Sequence, residues 1–216
     1  MNLARWVALL TFTLAIGYGF DVASQTAVQP AEAVNPAAAT PKPLRGPDVM
    51  YVPTPNEVVE AMLTVAGAGK GDVLYDLGSG DGRIPIIAVQ KFGVTRATGI
   101  EINPERIKEA QANLKAAALG NRVQFRNEDL FEANISDATV VTLYLLPALN
   151  VKLLPKLLAD LKPGTRIVSH AFAMGDWKPK QTLTVGGRDV YFWVIPAKGT
   201  PEHAAASAVA RAGASN

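Results

Sequence analysis

Tyr75-Asp76-Leu77-Gly78-Ser79-Gly80-Asp81-Gly82 is the stretch that decides the fold. The apolar run Val73-Leu74-Tyr75 opening it reads as a short buried strand, and a helical pattern runs from Arg83 to Phe92 behind it. Glycines between a strand and a helix turn the backbone sharply and let it approach a ligand where any side chain would collide. The N–H groups of the loop and of the helix start then face a polar ligand group. Such a turn is common, and three acids make this one specific. Asp76 supplies a carboxylate that can meet the positive amino group of a methionine moiety and would repel a pyrophosphate. Glu101 ends the next strand, 23 positions after Gly78, where an acid can take both hydroxyls of a ribose. Asp129 follows the third strand and can accept from an adenine amino group. Read singly, Glu101 could instead cap the helix opened by Pro104, and Asp129 could be an ordinary loop aspartate. Together with Gly78, Ser79, Gly80 and Gly82 the three acids predict a pocket for S-adenosylmethionine (SAM). A dinucleotide is disfavoured because the third glycine falls one position early.

Around this loop, strand and helix patterns alternate from about Asp48 to Lys198, which predicts a mainly parallel sheet with flanking helices. Thr54 and Pro55 open a helix with an apolar stripe through Val58, Val59, Met62 and Val65. Ala97 to Glu101, Val123 to Phe125, Ala138 to Leu143 and Arg166 to Ser169 read as strands. Helices are expected from Pro104 to about Leu119 and from Pro147 to Leu161, the second despite Pro155. Only the short loop Ala171 to Pro179 follows the fifth strand, too short for a crossover helix. Gly186-Gly187 between Gln181–Val185 and Asp189–Ile195 then signals an antiparallel hairpin. The expected fold is α/β and Rossmann-like, of the kind methyltransferases have: a mainly parallel sheet finished by an antiparallel hairpin, preceded by an N-terminal hydrophobic segment.

That segment is Trp6 to Phe20, an uncharged run behind the single cation Arg5. It has no polar face and is a little short for a comfortable membrane span, so residues 1–24 read as a signal peptide or membrane anchor. Residues 25–47 are rich in Ala and Pro and read as a linker. The catalytic domain is expected over 48–198, and 199–216 as a disordered tail without apolar periodicity. Membrane contact through residues 6–20, or export, follows from the leader. The side of the membrane stays open, since SAM is expected in the cytoplasm.

Composition excludes several chemistries. The chain has no Cys and only two His, which removes thiolate nucleophiles and Cys or multi-His metal sites. No metal site is expected. A formal net charge of +2 lacks the basic excess of a general nucleic-acid binder, so no nucleic-acid partner is expected. Ser79 is no nucleophile elbow, because Leu77 occupies the first glycine position of that motif.

The segments YVPTP at 51–55, YDLGSGDGR at 75–83, GIEINPERI at 99–107, ATVVTLYLLP at 138–147 and LKPGTRIVSHAFAMGDWKP at 161–179 resemble a group of protein-lysine methyltransferases. The group includes an archaeal enzyme of broad specificity and mitochondrial enzymes acting on ATP synthase subunit c and the adenine nucleotide translocase. The resemblance covers about Met50 to Ala197. It implies that Tyr51, Pro53 and Thr54 fold over the methionine end of SAM, and that Tyr144, His170 and Trp177 border a substrate lysine. Leu145-Leu146-Pro147 departs from the Asp/Asn-Pro-Pro of amino-methylating nucleic-acid enzymes. On this reading Tyr144 and Trp177 line an aromatic channel, and His170 accepts a proton or orients. The rival readings are a methyltransferase for a small molecule or RNA, and a non-catalytic, membrane-tethered SAM-binding domain.

Overall fold

The computed structural model describes residues 44–214. Seven strands form one sheet in the order β3-β2-β1-β4-β5-β7-β6. They are β1 (Val73–Leu77), β2 (Arg96–Glu101), β3 (Val123–Asn127), β4 (Val140–Leu143), β5 (Arg166–His170), β6 (Gln181–Val185) and β7 (Arg188–Val194). The first five run parallel, and β7 and β6 complete the sheet antiparallel, as the Gly186-Gly187 turn predicts. The order reverses at β1, the strand that carries the glycine loop. Open α/β sheets bind ligands beyond the carboxyl ends of strands at such a reversal.

Period-two alternation sends Leu74, Val140 and Val168 to one face and Tyr75, Leu77, Val141 and Ile167 to the other. The first face is covered by α1 (Asn56–Val65) and α2 (Arg83–Phe92), with Leu114 and Ala117 of α3 (Pro104–Ala117) at its margin. The opposite face is covered by α4 (Pro147–Asp160), through Leu153, Leu154, Leu157 and Leu158. Pro155 is accommodated inside α4.

A fifth helix corrects the expectation of a disordered tail over 199–216. Pro201–Ala214 forms α5, packed on α4 with Ala206 fully buried and Ala210 nearly so. Thr200 caps it by accepting from the His203 N–H at 3.2 Å, and Pro201 takes the first helical position. Small side chains give almost no apolar periodicity, yet alanine has the highest helix propensity and permits close helix contact. A Cβ on Gly213 would stand 2.1 Å from a Val151 methyl, which measures how tightly the two helices approach.

Of the linker expected over 25–47, the described end, residues 44–47, is irregular and exposed, and Arg45 and Pro47 line the pocket below. The leader expected over 1–24, and the linker up to residue 43, lie outside the described residues. Among the described residues no helix is long and apolar enough to cross a membrane. Ala206→Asp should destabilise the protein by about 2–4 kcal/mol in urea unfolding, since it buries an unpaired carboxylate between α4 and α5. A loose tail would tolerate the change without effect.

Candidate active site

The glycine loop can settle onto β2 because Gly99 leaves room for the Ser79 side chain at the contact. Gly78 and Ser79 donate their N–H groups to the Ile100 carbonyl at 2.9 and 3.0 Å. A Cβ on Gly99 would lie 2.5 Å from the Ser79 hydroxyl oxygen and from the Phe125 ring. Gly80 has φ +51°, and a Cβ there would meet the Tyr51 ring at 2.2 Å. The ring of the YVPTP segment therefore rests directly on the loop.

Glu101 joins the loop to the next helix. One carboxylate oxygen accepts the Gly80 N–H at 2.9 Å, and the other accepts the Asn103 N–H at 2.8 Å, where Asn103 caps α3. The helix-capping alternative for Glu101 is thus realised alongside its place on the pocket wall. Asp76 is 2% exposed and accepts from the Thr142 hydroxyl at 2.8 Å. Burial pushes its carboxyl up to about 7, with Thr142 opposing and the charges of Glu101 and Asp81 adding.

These groups surround a cleft of about 450 Å³, within the range of cofactor-sized sites. Tyr51, Pro53, Thr54, Asp76, Gly78, Ser79, Glu101, Asp129 and Tyr144 all line it. Gly80 and Gly82 do not line it. Gly80 supports Tyr51, and Gly82 caps α2 at φ +80° against Phe125. The cleft fits the cofactor the sequence implies: acids stand at three separated points, backbone is bared at the glycine loop, and the Ser79 hydroxyl is buried there without a partner among the described residues.

Two of the residues expected beside the substrate lysine do not line this cleft. His170 is 1% exposed and lies behind Tyr144, ring centroids 3.9 Å apart, with Nδ1 3.1 Å from the Thr54 hydroxyl. Burial, aided by the charge of Arg188, lowers its pKa to about 4. It is therefore a weak base and makes no part of the cleft wall. Trp177 packs against Trp193 with centroids 5.8 Å apart, and its carbonyl accepts the Trp193 indole N–H at 3.0 Å. It borders a second cavity with Lys178, Lys180 and Glu202, because the 171–179 loop turns this aromatic into the core. Phe172 takes the place beside Tyr144, at 6.2 Å. The left-handed Ala171, φ +63°, turns the chain there, and Asn150 and Ser169 bind the Phe172 carbonyl.

Sequence reasoning missed the cations of the cleft. Arg83 binds the Asp81 carboxylate at 2.6 Å and donates to the Thr54 carbonyl at 3.0 Å, fastening the YVPTP segment to the glycine loop. Burial alone would raise the Asp81 carboxyl, but Arg83 outweighs it and holds it below its ordinary range. Arg106 lies over the Tyr51 ring at 4.9 Å. Arg45 binds both oxygens of Asp129, at 2.5 and 3.1 Å, and holds that carboxyl low. Arg106 was legible as a cation in the first turn of α3 beside the pocket. Arg45 stood out only as a charge in a charge-poor stretch.

Sheet order, glycine loop and acid set together define a SAM-dependent methyltransferase of the Rossmann-like class. Comparison with known proteins narrows the class. The ANTKMT methyltransferase domain matches residues 76–181. A protein-lysine N-methyltransferase of Saccharolobus islandicus is 48% identical over 153 residues, 69% of this chain and 95% of the archaeal one. The adenine nucleotide translocase lysine N-methyltransferase of Mus musculus is 32% identical over 70% of this chain and 65% of its own length. A crystal structure from Salinibacter ruber, described as an RNA methyltransferase in complex with S-adenosyl-L-homocysteine, is 53% identical. It covers 69% of this chain and 97% of that one, with a TM-score of 0.67. The chain belongs to the protein-lysine N-methyltransferase family.

Two outcomes follow for cofactor binding. Glu101→Ala should weaken SAM binding by about 1.5–3 kcal/mol in calorimetry, because it removes a charged acceptor and leaves two backbone N–H groups unpaired. Affinity should rise as pH increases through about 7, where empty-site Asp76 gives up its proton and can pair with the cofactor's ammonium. In the empty protein the same raised pKa has the opposite consequence. The folded chain holds a proton that the unfolded chain has lost, so Asp76's contribution to stability falls as pH rises toward 7. Asp76→Asn should flatten both profiles. An unchanged pH dependence in that variant would remove Asp76 from the ammonium site.

Proposed function

We propose that this methyltransferase transfers methyl groups from SAM to lysine ε-amines of proteins. The observation carrying the reading is Tyr144. It stands on the cleft wall at the carboxyl end of β4, backed by His170 and Phe172, and its hydroxyl has no hydrogen-bond partner among the described residues. The archaeal relative, 48% identical over nearly its whole length, supports the choice of lysine.

The bound cofactor supplies a methyl carbon already activated by a positive sulfur. The task left to the protein is alignment and a neutral amine. At pH 7 only about one free lysine amine in 2,500 is neutral. An apolar aromatic wall penalises the charged form and raises that fraction. Leu145, Leu149 and the Tyr144 ring provide such a wall. The neutral nitrogen forms its bond to the methyl carbon as the carbon–sulfur bond breaks, and the proton on the methylated ammonium leaves to water. His170, buried behind Tyr144 and weakly basic, is assigned the orienting role, holding Tyr144 and Thr54 in place.

The description of the Salinibacter ruber structure makes RNA the alternative acceptor. The cleft argues against a polyanion. Arg45 and Arg83 at its rim are paired with Asp129 and Asp81, and the chain carries a net charge of only +2. We also propose that Trp6–Phe20 delivers the domain to a membrane, so the full chain should sediment with the membrane fraction.

Incubation of the full chain with labelled SAM and cell extract should place label on protein. Mass spectrometry should then show increments of one methyl mapped to lysine. Label confined to RNA or small molecules would overturn the acceptor and leave the cofactor standing. Tyr144→Phe should lower kcat at least tenfold, about 1.4 kcal/mol in the barrier, with little change in SAM affinity. An unaltered kcat would reduce Tyr144 to its ring.

A further inference from the structure

The segment from Leu44 to Thr54 crosses the mouth of the cleft, and it is fastened at three points. At its end nearest α1, the Thr54 carbonyl takes the Arg83 guanidinium and the Thr54 hydroxyl meets His170. In its middle the Tyr51 ring lies between Gly80 and Arg106. At its start Arg45 forms the bidentate pair with Asp129, and its guanidinium also stands 5.4 Å from the Phe131 ring centroid. Between these fastenings Val49 is half-buried, but two other apolar side chains face solvent. Met50 is 89% exposed and Val52 54%.

The Arg45 fastening differs from the other two in what it is made of. Thr54 and Tyr51 are held by buried or half-buried contacts. The Arg45–Asp129 pair leaves Arg45 about a third exposed, so salt reaches it and weakens it. Asp129 is also the acid assigned to the adenine amino group. A carboxylate offers about four acceptor positions. Arg45 takes two and the Phe131 N–H, at 3.0 Å, takes a third, which leaves one for an exocyclic amine. Arg45 and an adenine amino group can therefore share Asp129.

We propose that Arg45 is the latch of the cofactor pocket. By pairing with Asp129 it closes the strap over the adenine end, and cofactor and demethylated product exchange by release of this ion pair and swinging of residues 44–50. Tyr51 and Thr54 stay fixed during exchange, so the methionine end keeps its wall while the adenine end opens. The inference rests on the assignment of Asp129 to the adenine end. It concerns the rate of exchange and not the identity of the acceptor.

The test is dissociation of labelled S-adenosylhomocysteine from the full-length protein during a chase with excess unlabelled ligand, at low and high sodium chloride. Arg45→Ala should release the ligand at least tenfold faster than the wild type at low salt. Arg45→Lys, which keeps the charge but loses the two-pronged geometry, should fall between. High salt should speed release from the wild type several-fold and leave Arg45→Ala nearly unaffected. Equal release rates in the three proteins would overturn the latch. Slower release or tighter binding in Arg45→Ala would also overturn it, since Arg45 would then compete with adenine for Asp129. Failure of the wild type to bind would overturn the pocket assignment and the latch with it.

Discussion

The site depends on how closely the end of β1 can approach β2. The loop after β1 donates two N–H groups to the Ile100 carbonyl, and it reaches that carbonyl only because position 99 has no side chain. Glu101, two residues further along β2, then binds the loop at Gly80 and the start of α3 at Asn103. One carboxylate therefore fixes the spacing between the two helix starts that flank the cleft. An alanine at position 99 would push its Cβ into Ser79 and Phe125 and move the loop away from Glu101. Everything built on the loop, including the Tyr51 ring resting on Gly80, would shift with it.

Charge is arranged around this frame with a consistent logic. The most deeply buried acid of the cleft, Asp76, has no cationic partner among the described residues, and its carboxyl is raised to about 7. Asp81 and Asp129 each have an arginine and are held low. Asp76 is thus the group whose charge a cationic ligand would complete, whereas the paired acids serve to hold the strap. Tyr51, raised to about 12 by burial and by the charge of Asp81, stays a neutral phenol at any physiological pH. The ring rather than the charge of this residue does the covering.

Much of this was legible in the sequence because it is local. The glycine loop, the acids at the strand ends and the Gly186-Gly187 hairpin depend on a few neighbouring residues with strong conformational preferences, and their order fixes the sheet. What escaped depends on long-range contact or on weak periodicity. Trp177 and His170 sit in a loop and a strand end that the family resemblance put beside the substrate lysine. The left-handed turn at Ala171 and the Trp177–Trp193 packing send Trp177 to the core and put Phe172 beside Tyr144. Arg45 is separated from Asp129 by 84 positions, a pairing no local pattern encodes. The alanine-rich end folded as α5 because small residues pack closely without leaving an apolar stripe to read.

The central claim is that one cleft, floored by the glycine loop and roofed by residues 44–54, holds SAM with its methyl group toward Tyr144. A crystal structure of the complex with S-adenosylhomocysteine tests it most directly. The account predicts ribose hydroxyls on Glu101, the amino group of adenine on Asp129, the methionine amino group at Asp76, and the sulfur facing the Tyr144 side of the cleft. A ligand bound in the reverse orientation, or in the cavity beside Trp177 and Trp193, would contradict it.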